Sequence, residues 1–551
     1  MLVSVLDYGA GNILSLVNAL KSLNHDVLFI ETPQQILAAH KLVFPGVGAF
    51  ASAMHGLKQS PGIVEALKIY LESNRPFLGI CVGLQTLFSG SEESPGIEGL
   101  GLIQSTVKLL RGEGLAVPHV GWNGVNVRRD NTILLETNAD EMYYFVHSYA
   151  AVVDEATSDW LLATSDYGCE FVSVVQRGNV VATQFHPEKS GAIGLALLQR
   201  FVDCDPVVDV PRDLMPIRPV TKPTRLAKRV VACLDVRAND NGDLVVTKGD
   251  QYDVRERVAT NDRGRVRNLG KPVDLAARYY EEGADEIVFL NITSFRNCPL
   301  QDLPMLEVLR KASEKIFVPL TVGGGIRDMH APKTNDSKSD VGFYSALDVA
   351  AAYFRSGADK ISIGSDAVYA AEEYVVSGGK KTGKTSIEMI AATYGKQAVV
   401  ISVDPKRVYV ASPTEVVRHR VIRTVNRGPN AEEYCWYQCT VSGGRESRDI
   451  DVHEMVKACE DLGAGEIMLN CIDKDGTNSG YDIEFIADVK AAVHIPVIAS
   501  SGAGCAAHFS EVFQKTNADA ALAAGIFHRH EVPIETVKKH LAQQAITVRQ
   551  Q

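Results

Sequence analysis

Residues 77–86, "FLGICVGLQT", hold one cysteine between two glycines, and that setting governs what Cys81 can do. An apolar strand that stops at Gly-x-Cys-x-Gly and runs on into a helix puts a nucleophile at a strained, exposed elbow. The start of the helix also aims amide N–H groups at the sulfur, which favours the thiolate. Such a nucleophile needs a base. "TQFHPEKS" (183–190) offers His186, and Glu188 two residues on can hold the imidazole as a third member. "FPGVG" (44–48) ends another strand-like run, and its glycine amides can line an oxyanion hole. A lone cysteine is most often a core residue. The three elements together, in this order, point instead to nucleophilic chemistry at sulfur.

A second set of candidates lies after residue 228. "CLDV" puts Asp235 at the end of one strand-like run and "SVDP" puts Asp404 at the end of another. Two separated carboxylates serve as general acid and general base when their environments differ. Glycine-rich stretches follow other runs: "GGGI" with Gly324 and Gly325, "SSGAG" with Gly502 and Gly504, "IGSDA" with Ser365, and "AAGIF" with Gly525. Backbone amides in such loops can cradle phosphate, and one cradle on each half suits a substrate phosphorylated at both ends. Arg229, Glu286, Lys360 and Glu466 fall at the starts of such runs, where opposite charges would close a ring.

These placements follow from an internal repeat. "VVACLDV" (230–236) echoes "VVISVDP" (399–405), and "GADEIVFLNIT" (283–293) echoes "GAGEIMLNCID" (463–473). "VPLTVGGGIRD" (318–328) echoes "IPVIASSGAG" (495–504), and "SGADKISIGSDAV" (356–368) echoes "TNADAALAAGIFH" (516–528). Two copies of a four-strand βα unit make a (β/α)8 barrel, whose active site sits at the C-terminal ends of its strands. The span exceeds an ordinary barrel, so insertions are expected at 329–346, 377–386 and 406–448. Residues 1–203 read as an α/β domain with a mixed sheet, and the proline-rich stretch 204–227 reads as an extended linker to the barrel at 228–551.

Composition narrows the function classes. The chain has 551 residues, 46% hydrophobic and 22% charged, with net charge −11. The first 203 residues carry 12 basic and 20 acidic side chains and the rest 44 and 47, so neither part invites nucleic acid. No apolar run reaches the 18 residues of a membrane span. Ten sparse cysteines without a CxxC pair, and an N-terminus that reads as a strand, suggest reduced thiols in the cytoplasm. No metal or cofactor is called for.

"GICVGLQ", "QFHPE" and "FPGVG" resemble the class I glutamine amidotransferases over most of residues 1–203. The resemblance implies a Cys81–His186–Glu188 triad that releases ammonia from glutamine through a thioester, with Gly48 at the oxyanion site and Gln85 near the substrate. "KRVVACLDV", "VVTKG", "TVGGGIRD", "VISVDPKRV" and "NCIDKDGTNSGYD" resemble the cyclase of the imidazole glycerol phosphate synthases. The whole chain is similar to the fused form of that family in fungi and plants. By that match Asp404 and Asp235 are the acid–base pair, Lys248 covers the substrate, and Asp475 and Thr477 line the site. The substrates would be glutamine and a bis-phosphorylated ribotide, and the fusion would be self-contained. The charged ring would gate an ammonia passage, with Asp359 facing Lys189 and Tyr144 across the junction and "PHVGWN" (118–123) in its lining. The sequence departs from the cyclase pattern at Asn291, Gly364, Ser501 and Gly525. An amidotransferase with an isomerase barrel, and a catalytically silent scaffold, stand as alternatives.

Overall fold

The computed structural model describes residues 1–9, 11–46, 48–129, 141–204, 206, 216–220, 222–239, 243–247, 268–292, 303–330 and 343–550. Lys248 lies outside the described residues, as do much of the stretch 204–227 and the middle of 329–346.

The first two hundred residues build a sheet of eight strands. Its central part is parallel: Asp26–Ile30, Leu2–Leu6, Leu42–Phe44, Phe77–Ile80 and Val180–Thr183 lie side by side. Three antiparallel strands, Cys169–Arg177, Leu161–Tyr167 and Asn126–Val127, extend one edge. The parallel strands read as unbroken apolar runs because helices cover both faces. Leu2–Leu6 shows this: Val5 packs into one apolar cluster and Leu6 into another on the opposite face. The strands Phe77–Ile80 and Val180–Thr183 are direct neighbours, so the elbow after one and the His-Pro turn after the other emerge at the same edge.

The second part is a closed barrel. Its eight strands are Arg229–Ala238, Glu286–Asn291, Leu320–Gly323, Lys360–Ile363, Val399–Val403, Glu466–Asn470, Val497–Ser500 and Ala520–Ala523. All pair in parallel in that order, and the last closes on the first. Each expected repeat unit supplies one of them. Side chains alternate along each strand. In the first strand Val231 and Cys233 point into a lumen shared with Val288, Val400, Met468, Ile498 and Leu522, while Val230, Ala232 and Leu234 pack outward under the helices.

The polar stretch 406–448 is a folded addition. Pro405–Val410, Ile422–Arg423, Tyr434–Val441 and Glu446–Asp451 form an antiparallel sheet of their own. It is anchored where Arg407 pairs with Asp482 and Glu484, and within it His419 stacks on Trp436 with ring centres 4.0 Å apart. The described part of 216–227 is extended and runs along the outer strand of the first sheet, with Arg218 and Arg128 bonded backbone to backbone at 2.7 Å.

The two parts meet at the barrel's lower face. The Trp122 indole donates to the Asp285 carbonyl at 3.1 Å, and the Asn18 amide to the Ser313 hydroxyl at 2.9 Å. Backbone bonds join Gly191 to Phe317 at 2.9 Å and Val117 to His494 at 2.8 Å. Asp285, Phe317 and His494 each come just before a barrel strand and Ser313 ends the helix that leads into one, so the first part covers the N-terminal ends of the strands, away from the mouth.

Candidate active sites

Cys81 ends the strand Phe77–Ile80 with φ 49° and ψ −104°, a conformation that L-residues rarely hold. Close packing enforces the elbow. A side chain at Gly46 would put Cβ 1.5 Å from the Ile80 carbonyl oxygen, and one at Gly83 would put it 2.6 Å from that of Phe44. The strand end Leu42–Phe44 and the elbow therefore interlock backbone to backbone, which is why the sequence supplies glycine at each contact.

The three expected triad members come together. His186 Nδ1 lies 2.8 Å from Glu188 Oε1, and both side chains are buried. Burial works against the charged imidazole, yet Glu188 and Cys81 together hold its pKa well above the ordinary range. The ring is therefore placed to carry a proton taken from the thiol. Gln184, which the sequence reading missed, donates to the Cys81 sulfur at 3.4 Å and accepts from the Gln85 amide at 3.2 Å. Its place two residues before His186, in the turn that follows the strand Val180–Thr183, was the available signal. Gly48 sits at φ 123° in the loop after Leu42–Phe44, and the next residue, Ala49, contacts the Thr393 carbonyl of the barrel at 3.5 Å.

Behind the triad is a buried polar pair. His119 Nδ1 lies 3.1 Å from His147 Nε2, and Asn123 reaches His119 at 3.2 Å. Burial lowers both imidazole pKa values, that of His147 to about 3, so both rings are neutral at physiological pH.

At the barrel mouth a cavity of about 330 Å3 is lined by the C-terminal ends of all eight strands. Asp235 and Asp404 face it, with Asn291, Gly324, Gly325, Gly364, Ser365, Asp475, Ser501, Gly502 and Gly525. The four departures, Asn291, Gly364, Ser501 and Gly525, thus all lie in the wall. Ser501 stands at φ 72°, a strained setting for serine. Two expected residues do not line the cavity. Thr477 turns its hydroxyl to the Lys474 carbonyl at 2.9 Å, shaping the loop from which Asp475 and Asn478 face inward. Gly504 spends its amide on His508 at 3.1 Å, and its missing side chain makes room for the Asn478 backbone.

The wall also holds residues the sequence reading passed over. Asn470 donates to Asp404 at 3.0 Å and to the Ser402 hydroxyl at 2.9 Å, fixing the carboxylate. In the repeat it stands where the second strand has Leu290, with Cys471 matching Asn291, so the repeat did not carry the signal. Ser442, Gly443 and Arg445 arrive from the tip of the added sheet, and Ser442 N donates to Ser365 at 2.9 Å. Arg237, Arg327 and Arg529 bring further positive charge.

Between the two sites the expected ring is closed. Arg229 pairs with Glu286 at 2.7 Å and with Glu466, and Lys360 bridges both glutamates at 2.7 Å. All four are fully buried. Burial raises the Glu466 pKa, but Arg229 and Lys360 outweigh it and hold the group below the usual carboxylate range. Burial raises the pKa of the Tyr144 hydroxyl, and within this ring Glu286 adds to the rise while Arg229 opposes it. Lys189 pairs with Asp359 at 2.6 Å, and Asn12 donates to the other Asp359 oxygen at 2.7 Å. A Cβ on Gly121 would come 3.5 Å from the Arg229 side chain, so the strand His119–Gly124 lies directly against the ring.

Two family models match the chain. The family model described as glutamine amidotransferase class-I matches residues 4–203, and that described as histidine biosynthesis protein matches 229–337 and 340–533. The chloroplastic imidazole glycerol phosphate synthase hisHF of Arabidopsis thaliana is 57% identical over 99% of this chain and 89% of its own. The hisHF synthase of Schizosaccharomyces pombe is 52% identical over the whole of both chains. The HisF synthase subunit of Methanopyrus kandleri is 40% identical over 59% of this chain and 99% of its own.

Proposed function

This chain belongs to the imidazole glycerol phosphate synthases in which glutaminase and cyclase are fused for histidine biosynthesis, and from that premise we propose how its residues divide the work. The Cys81 sulfur attacks the side-chain amide of glutamine. His186, oriented by Glu188, takes the thiol proton and passes it to the departing ammonia. Water then hydrolyses the γ-glutamyl thioester to glutamate. The strained backbone at Cys81 and the raised pKa of His186 support these roles.

Ammonia crosses the Arg229–Glu286–Lys360–Glu466 ring into the apolar lumen, where Val231, Met468 and Ile498 admit the neutral molecule far more readily than ammonium. Cys233 and Leu522 belong both to that lumen and to the cavity floor, so the route ends between Asp235 and Asp404. There ammonia meets the bis-phosphorylated ribulosyl-formimino aminoimidazole carboxamide ribotide. The two carboxylates move the protons of ring closure, giving imidazole glycerol phosphate and aminoimidazole carboxamide ribotide. The nine described cysteines are all free. No helix among the described residues is long and apolar enough to cross a membrane.

The observation that carries this reading is the docking of the glutaminase half on the barrel face opposite the mouth, with the buried ring between the two sites. The test measures glutamate release with glutamine alone and again with ribotide added. A sharp rise on adding ribotide is expected, and equal rates would remove the coupling. Cys81→Ala should abolish glutamine-dependent synthesis while ammonia-dependent synthesis survives at high pH, whereas loss of both would assign the cysteine a folding role.

A further inference from the structure

The two halves of the barrel differ in how they can hold a phosphate, and the internal repeat makes the difference measurable. After the fourth strand comes Gly364-Ser365, and after the eighth Ala524-Gly525. Ser365 brings a hydroxyl to its end of the cavity, but Gly525 at the matching position has none. After the third strand comes Gly324-Gly325-Ile326-Arg327, and after the seventh Ser501-Gly502-Ala503-Gly504. Arg327 lines the cavity, while its counterpart Gly504 has neither charge nor a place in the wall. At these two positions the second half has neither the hydroxyl nor the cation of the first, although Ser500 and Ser501 stand where the first half has Gly323 and Gly324.

Gly525 is not glycine for the sake of its backbone, which is outside the left-handed region. The constraint is space. A Cβ there would meet Arg529 Nη1 at 2.7 Å, Nη2 at 3.2 Å and Cζ at 3.3 Å, and these are its three nearest neighbours. The guanidinium has folded back over the residue four places earlier and occupies the volume a side chain would fill. Gly502 contrasts with this, because its Cβ would strike the Gly480 backbone oxygen at 2.2 Å. Glu531 grips Arg529 through Nε at 2.7 Å and Nη2 at 2.9 Å, which fixes the plane of the guanidinium and leaves Nη1 as the nitrogen closest to Gly525. Arg529 also lines the cavity, with Gly502, Ala503, Ala524 and Gly525.

We propose that Arg529, held by Glu531 and admitted by the missing side chain of Gly525, is the phosphate-binding residue of the seventh- and eighth-strand end of the cyclase site. Gly525 and Arg529 act as one unit that replaces the serine and arginine of the other half. A guanidinium presents paired donors to phosphate oxygens, which a serine hydroxyl does not. This inference rests on the cyclase reading given above.

The experiment uses the full chain with saturating ammonia as nitrogen donor and follows the KM for the ribotide. Arg529→Ala should raise KM about ten- to a hundredfold, the range for a hydrogen bond to a charged group, with kcat within a few-fold. Gly525→Ser should raise KM by displacing the guanidinium. The double variant Gly525→Ser/Arg529→Ala should bind ribotide better than Arg529→Ala alone, because the serine then has room and restores a hydroxyl. An unchanged melting temperature in Arg529→Ala is also expected, since an exposed Arg–Glu pair adds little stability. An unaltered KM in Arg529→Ala, or a double variant no better than the single, overturns the proposal. Absence of any ammonia-dependent turnover in the unmodified enzyme would instead remove the cyclase reading itself.

Discussion

Single side chains are set by burial as much as by identity. His186 and His147 are both buried histidines in the glutaminase half, yet their pKa values move in opposite directions. Glu188 and Cys81 pull His186 up against its burial, whereas His147 has a neutral imidazole for a partner and burial takes it down to about 3. The sign of each effect gives a pH dependence. A histidine whose folded pKa is depressed binds its proton more readily when unfolded, so its contribution is complete above the unfolded value near 6.5 and is lost as pH falls toward the folded value. His119 and His147 both behave this way. Between pH 6 and pH 5, where the carboxylates are still ionised, each should remove about 1 kcal/mol of stability. Denaturant titration of the full chain at the two pH values checks this. His147→Asn should flatten the slope, and an unchanged slope would mean that His147 is charged in the folded protein. The triad was legible in the sequence because its members sit on strand ends with diagnostic neighbours. Gln184 was marked only by its place beside His186, and Arg529 was not legible, since a guanidinium that folds back over Gly525 is not encoded by spacing.

At the scale of elements, the repeat made the barrel readable. A strand that begins with a charge, runs through four or five apolar residues and ends on glycine or aspartate says which end is the floor and which the mouth. The added sheet at 405–451 lacks an unbroken apolar run because the residues that pack on the barrel's helices, Cys435, Tyr437, Cys439 and Val441, alternate with Trp436, Gln438 and Thr440, and ion pairs of Arg407 complete the anchor. Its hairpin tip nonetheless enters the cavity wall beside Ser365, which only tertiary structure can reveal. The elbow at Cys81 makes the sharpest element-level prediction. It exists because the loop after Leu42–Phe44 presses on the Ile80 carbonyl with no side chain between. Gly46→Ala would place a methyl 1.5 Å from that oxygen, a backbone contact that no rotamer relieves. The expected result is glutaminase activity reduced at least a hundredfold through displacement of Cys81, with ammonia-dependent synthesis retained by the barrel. Near-normal glutaminase activity in that variant would show that the elbow geometry does not depend on the interlock.

In the whole molecule, the question is what the buried ring is for. Two cations and two carboxylates with no exposed surface are an expensive way to stabilise a barrel, because desolvation offsets much of their attraction and apolar residues of similar volume would serve at least as well. As a structural plug, the ring would contribute stability and nothing else. As a gate, it must let ammonia pass while refusing water and ammonium, and its position between the glutaminase and the lumen is where such selection has effect. Glu466→Gln separates the two roles. It leaves Arg229 and Lys360 sharing one carboxylate, so either role predicts a loss of about 3–5 kcal/mol, the usual result of breaking a buried pair. The roles differ in stoichiometry. A plug leaves one glutamate released for each imidazole product in whatever enzyme remains folded. A gate that no longer closes or aligns lets ammonia escape at the junction, so glutamate exceeds product, and free ammonia restores synthesis to the unmodified level. Measuring both products in the same reaction at a temperature where the variant is folded distinguishes them. A ratio that stays at one assigns the ring to stability, and ammonia must then reach Asp404 by another route.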